Sequence, residues 1–299
     1  MFYKLSKDHH TFTLSKDNAP YLRVNSGDTI EIVTLDCFSG QLKTSSDTLE
    51  EMDWTRMNPA TGPIFINNAK PGDTLKVTIN SIDVSGQGVM SAGKSLGPLG
   101  DYLDEITTKI IPISDNTALF DEVLHFPVNP MIGVIGVAPA GDSINTGTPG
   151  AFGGNMDNAM ITAGAFLYLP VFVEGALFSL GDLHAAMGDG EIGETGIEIG
   201  GTVSVKLEII KDLNLNNPVV INDEFFTTIA SAVTLDEAVN TSAIDMLILL
   251  SERLNLNKNT IAMLMSAVGS SEVCQVVDPL KTARFVMPIK MLNKYAFKF

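Results

Sequence analysis

The chain has 299 residues, 45% hydrophobic and 18% charged, enough to fold as one large or two ordinary domains and too apolar to be disordered. Its net charge of -16 excludes a nucleic-acid binder, which needs a basic face, and disfavours docking on anionic lipid. No run approaches the ~18 apolar residues of a membrane helix, the opening MFYKLSKDHHTF lacks the apolar run of a signal peptide, and two cysteines, Cys37 and Cys274, cannot build a disulfide scaffold; a reduced cytoplasm is the expected compartment.

In chain order, three segments share a glycine turn followed by alternation: SGDTIEIVTL at 26–35, PGDTLKVTIN at 71–80 and GGTVSVKLEI at 200–209. In the second, Leu75, Val77 and Ile79 alternate with Thr74, Lys76, Thr78 and Asn80, the period of a half-buried strand. The first ends in Thr34-Leu35-Asp36-Cys37, and strand ends commonly carry ligands. Asp36 is taken as a candidate and Cys37 as a small buried residue. The middle is punctuated by sixteen glycines between Gly133 and Gly201, which leaves no room for long helices. Short apolar runs there, 131–137 and 166–173, read as buried strands.

Helical pattern comes late. Thr234-Leu-Asp-Glu237 fits a capping box, and Leu235, Val239, Ala243, Met246, Leu247, Leu250 and Leu254 follow at helical spacing. A shorter helix is expected over 260–268, ending at Gly269, with strands at 273–277 and 284–287. The expected architecture is therefore mainly β: sandwich-like antiparallel sheets in a body at 1–220, with a smaller α+β portion at 221–299 packed on it.

The chemistry concentrates in the middle. Between Lys109 and Lys206 there is no Lys or Arg, while eleven carboxylates and two histidines, His125 and His184, lie in the interval. Carboxylates gathered without basic partners are either solvated separately or neutralised together by a cation. Asp182 and His184 lie two apart, so an extended segment turns both to one face and they could share a metal through oxygen and imidazole. The plain alternative is a turn aspartate and a hydrogen-bonded core histidine; the nearby Asp189, Glu191 and Glu198 favour the metal. Gly153-Gly154-Asn155-Met156-Asp157 is the second element: Asp157 offers another ligand, and Asn155 a group for a substrate carbonyl or amide. His125 is a weaker candidate, and His9 and His10 read as solvated. No nucleophile elbow, P-loop or dinucleotide fingerprint is present.

Six strings, in order, resemble the acetamidase/formamidase family: Asn58-Pro-Ala-Thr-Gly-Pro63 with Pro71-Gly-Asp73, Pro130 to Pro139, Gly153 to Asp157, Leu169-Pro-Val171 with Gly175-Ala176, Gly181 to Glu191, and Cys274 to Pro279. The resemblance spans about residues 30 to 290. It implies a hydrolase of small linear amides that releases ammonia and a carboxylate, a mostly β body and a homo-oligomer, expected as a dimer. It also points to Asp157 and the Gly181–Glu191 motif as the site, with Asp36 and Glu198 beside them. The expected assignment is Asp36, Asp157, Asp182, His184 and Glu198 as metal ligands, Glu191 as acid/base and Asn155 as substrate-orienting group. Mixed ligands suit zinc; oxygen-rich ligation also suits calcium or magnesium. Competing readings are a hydrolase of another C–N bond, a calcium-stabilised β binding module without catalysis, and an acidic surface for a basic partner.

Overall fold

In a computed structural model, which describes all 299 residues, two large sheets dominate. The first runs, in spatial order, through Phe2–Leu5, Thr29–Thr34, Gly201–Ile210, Thr74–Val84, Phe166–Pro170, Val219–Ile221, Phe225–Ala232, Lys281–Pro288 and Ser270–Gln275. All three glycine-led segments lie side by side in it: Gly201–Ile210 pairs antiparallel with both Thr29–Thr34 and Thr74–Val84. Their alternation is the reason. Leu75, Val77 and Ile79 are fully buried, and Lys76 and Thr78 between them are not.

The second sheet carries the glycine-rich middle. Its neighbours run Gly153–Asn155, Met131–Gly136, Phe178–His184, Glu198–Ile199, Gln87–Ala92 and Thr107–Ser114, with Ala60–Ile66 also against Phe178–His184. The Met131–Gly136 and Phe178–His184 strands are buried on both faces. Met131–Gly136 therefore reads as a continuous apolar or small-residue run, and Phe178–His184 does so only as far as Gly181, before Asp182 and His184.

One cluster of 33 buried side chains draws on both sheets, with Ile30, Ile32, Leu75 and Val205 from the first and Ile64, Ile132, Leu180 and Leu183 from the second. This makes the body a sandwich, and each such side chain contributes about 1.5–3 kcal/mol on burial. A second cluster packs the helices Leu235–Arg253 and Lys258–Val268 on the late strands through Phe226, Met246, Leu250, Ile261 and Met287.

Thr234 caps the long helix as expected, accepting from Glu237 N–H at 3.3 Å. The second helix begins two residues before the expected 260, because Asn257 Oδ1 takes the cap, accepting from Thr260 N–H at 2.9 Å. The strands on either side of residue 220 belong to one continuous sheet. No helix is long and apolar enough to cross a membrane.

Candidate metal centre

Four adjacent strands bring the expected residues together. Asn155 ends Gly153–Asn155, which pairs with Met131–Gly136; that strand pairs with Phe178–His184, which carries Asp182 and His184. Glu198 stands directly across from His184 in register. Asp157 follows the first of these strands by two residues, and Glu191 sits in the loop between the last two.

The imidazole is the hub. His184 Nε2 lies 3.1 Å from Glu198 Oε2, 3.4 Å from Asp182 Oδ1, and 3.9 Å from both Asp157 Oδ1 and Glu191 Oε1. All five side chains are buried, none more than 7% exposed. Asp157, Asp182 and Glu191 all hold left-handed backbone, with φ of 41°, 54° and 49°. Non-glycine residues adopt that region at a cost of about 1–3 kcal/mol each, and such strain concentrates where a side chain must be aimed. It also changes the reason for the Asp182–His184 pair: the strand is not regular there, and a local turn of Asp182, rather than simple period-two alternation, brings the two groups together.

Glycine makes room for the carboxylates. A Cβ on Gly133 would stand 2.8 Å from Asp182 Oδ2 and closer still to Asp157 Oδ1; one on Gly196 would stand 2.7 Å from His184 Nδ1. Gly133→Ala is therefore expected to cost about 1–3 kcal/mol by overpacking, read as a lower urea midpoint. An unchanged midpoint would show that the two aspartates have space to retreat.

The electrostatics follow from burial. Burial, then the Asp182 charge, raises Asp157 to about 7 against the pull of His184. The same order of causes lifts Glu198 to about 8. Glu191 lies well above the ordinary carboxyl range through burial and the neighbouring Asp157. His184 shows the balance from the other side: burial pulls it down, but Glu198 and Asp182 outweigh burial and hold it well above its ordinary value. Protons therefore supply the positive charge this cluster needs when no other cation does.

The donor set fits a metal. Ligand atoms of Asp157, His184 and Glu191 lie within 4.8 Å of one another, and so do those of Cys37, Asp182 and Glu198. Asp157 Oδ1, Asp182 Oδ1 and Glu198 Oε2 are buried acceptors with no hydrogen-bond donor. Such orphaned oxygens are costly unless a cation or proton takes them.

One expectation changes in detail. The Asp36 carboxylate is engaged elsewhere, accepting from Gly40 N–H at 2.9 Å, and it is absent from both ligand groups. Its neighbour Cys37 is small and buried as expected, and it also faces Asp182 and Glu198. Burial first, and then those charges, keep its thiol well above the ordinary pKa. Asp278 is not among the sequence candidates, although the string from Cys274 to Pro279 contains it. It is half-buried with its Oδ2 shut from solvent, its Oδ1 accepts from Asn155 Nδ2 at 3.2 Å, and burial and Asp157 push its pKa well up. His125 is exposed, far down the second sheet beyond Thr107–Ser114.

A cavity of about 100 Å³ opens beside the cluster. Its polar side is formed by Asn155, Asp182, His184, Glu191, Glu198 and Asp278, and its apolar side by Phe38, Leu49, Met57 and Leu96. The volume suits a molecule of a few heavy atoms.

The chain matches the model of the acetamidase/formamidase family over residues 9–147 and 140–243. A predicted acetamidase/formamidase from Thermoanaerobacter tengcongensis is 53% identical and superposes with a TM-score of 0.98, over 100% of this chain and 99% of that one. An acetamidase from Bacillus halodurans is 45% identical, with a TM-score of 0.96 over 98% and 99%. The curated relatives it matches are longer. The chain spans 63% of a Schizosaccharomyces pombe protein, at 28% identity over 65% of this chain, and 64% of the formamidase of Methylophilus methylotrophus, at 25% identity over 66%.

Proposed function

This chain belongs to the acetamidase/formamidase family, and on that premise we propose that it hydrolyses small linear amides to ammonia and a carboxylate. The observation that carries the reading is the buried set of carboxylates around His184 Nε2, beside a cavity of amide size. Asp157, Asp182 and Glu198, gathered around His184 Nε2, would hold a divalent cation with it; the donors form two triads, Asp157–His184–Glu191 and Cys37–Asp182–Glu198, and nitrogen and sulfur beside oxygen favour zinc over calcium or magnesium. Such a cation supplies Lewis acidity, which polarises a carbonyl and acidifies water.

The remaining chemistry belongs to the side chains. Amide nitrogen is a poor leaving group until it is protonated, so one group must take a proton from water and pass it on. Glu191 suits that role, because its Oε1 is held by Gly196 N–H at 2.9 Å and burial, then the neighbouring Asp157, lift it well above the ordinary carboxyl range. Asn155 donates through Nδ2 to Asp278, while its Oδ1 is buried without a donor. That oxygen would accept an N–H of a primary amide and so orient the substrate. The apolar wall of Phe38, Leu49, Met57 and Leu96 excludes bulk water from the acyl side and limits acyl size.

The test is ammonia release from formamide and acetamide by protein stripped with chelator and resupplied separately with zinc, calcium or magnesium. The expected result is no release from stripped protein and recovery with one cation, zinc. Full activity in stripped, metal-free protein would remove the cation from the mechanism. No release under any condition from folded protein would remove linear amides as substrates.

A further inference from the structure

One buried cation lies behind the site and touches none of the reacting groups. Arg284, on the Lys281–Pro288 strand, has a side chain only 5% exposed. Its Nη1 donates to Asn158 Oδ1 at 2.8 Å and to Asp189 Oδ1 at 3.0 Å; Nη2 donates to Asp189 Oδ2 at 2.5 Å and Nε to Glu272 Oε2 at 2.8 Å. Asn158 is the residue after Asp157, and Asp189 stands two before Glu191. The guanidinium thus joins the two chain segments that present Asp157 and Glu191, neither of which contacts the other through regular strand pairing.

The backbone beside it points the same way. Gly190 N–H donates to Cys274 O at 2.8 Å, and Val276 N–H donates to Gly190 O at 3.2 Å. The loop carrying Glu191 is therefore fastened at its side chain and its main chain to the late strands. Glu191 needs this fastening, because its left-handed φ of 49° is not a conformation it keeps unaided. A planar fork meets a carboxylate in one orientation, whereas an ammonium fixes distance alone.

We propose that Arg284 is a positioning residue for hydrolysis: through Asp189 it sets Glu191, and through Asn158 it sets Asp157, against the imidazole. The inference rests on the amide-hydrolase reading above. Glu272 serves as an internal control. It engages the same guanidinium, but its own side chain is bonded to neither site segment; the tie from its strand to the Glu191 loop is made by main chain at Cys274 and Val276.

The experiment compares kcat and KM for ammonia release, and thermal midpoints, in wild type, Arg284→Lys, Asp189→Asn and Glu272→Gln. Arg284→Lys keeps the charge and loses the fork. Asp189→Asn removes a carboxylate that is 42% exposed, so it folds even if the arginine variant does not. Both are expected to lose at least about tenfold in kcat with KM within about threefold, since sub-ångström misplacement acts on the chemical step. Glu272→Gln should keep kcat within about twofold. Wild-type kcat in folded Asp189→Asn would overturn the proposal, and so would an equal loss in Glu272→Gln, which would reduce Arg284 to charge balance. Hydrogen exchange across 188–196 gives a readout independent of turnover: faster exchange is expected in Asp189→Asn and not in Glu272→Gln. If the wild type releases no ammonia, the amide reading fails. The exchange pattern then still decides whether Arg284 holds the loop.

Discussion

Glu191→Gln is expected to lower kcat for ammonia release by about 10²–10⁴-fold, the usual contribution of a positioned acid/base, while the bound divalent metal stays near the wild-type amount. The amide keeps the side chain's shape, and its oxygen still accepts from Gly196 N–H, so the loop and its strained backbone are preserved. What is lost is the capacity to carry a proton. His184→Ala makes the contrast, because it removes the group around which Asp157, Asp182 and Glu198 converge. That variant should lose metal as well as turnover. Metal analysis beside the kinetics separates the two roles. Full activity in Glu191→Gln would take Glu191 out of the mechanism, and unchanged metal in His184→Ala would take the imidazole out of the ligand set.

Stripped of divalent metal, the protein should become less stable as pH rises from about 5 to about 8, by about 1.4 kcal/mol per pH unit for each proton the folded chain holds in excess. The sign follows from the direction of the shifts. Asp157 is raised to about 7 and Glu198 to about 8, with Glu191 and Asp278 well above the ordinary range. In an unfolded chain these carboxyls release their protons near pH 4. Between the two values the folded chain binds more protons, so each rise in pH favours unfolding. His184 acts in the same sense, since its raised pKa gives stability that is complete below its ordinary value and lost as pH climbs through the folded one. A divalent cation replaces those protons, so stabilisation by added zinc should grow with pH. Urea midpoints at three pH values, with and without metal, read this directly. A stripped protein whose midpoint is flat or rises over the same range would show that the cluster does not carry its protons into the folded state.

Much of the fold was legible because it rests on local pattern. The alternation of Leu75, Val77 and Ile79, and the Thr234 cap, are written within a few residues and survive into the structure. Asp157, Asp182, His184, Glu191 and Glu198 could be singled out for another reason: a region without Lys or Arg has few ways to bury carboxylates, and the structure gathers the four carboxylates around the one imidazole. What could not be read is long-range. Asp278 meets Asn155 across 123 positions, and it follows a strand that other late strands and the Gly190 bridge hold in place. Arg284 reaches Asn158 across 126 in the same way. The placement of Asp36 and Cys37 is a different matter. Adjacent residues point apart, so locating the ligand-bearing stretch left its direction open, and the turn at Asp36–Gly40 decides it.

The continuous sheet that runs past residue 220 has a consequence for how the protein is made. Translation delivers the acidic segment of 157–198 before the strand that holds Arg284. A nascent chain that stops before Cys274 already displays most of the ligand carboxylates, yet has neither the guanidinium nor the main-chain bridge that fastens the Glu191 loop. Assembly of the centre is thus completed by strands made after the region that supplies its chemistry.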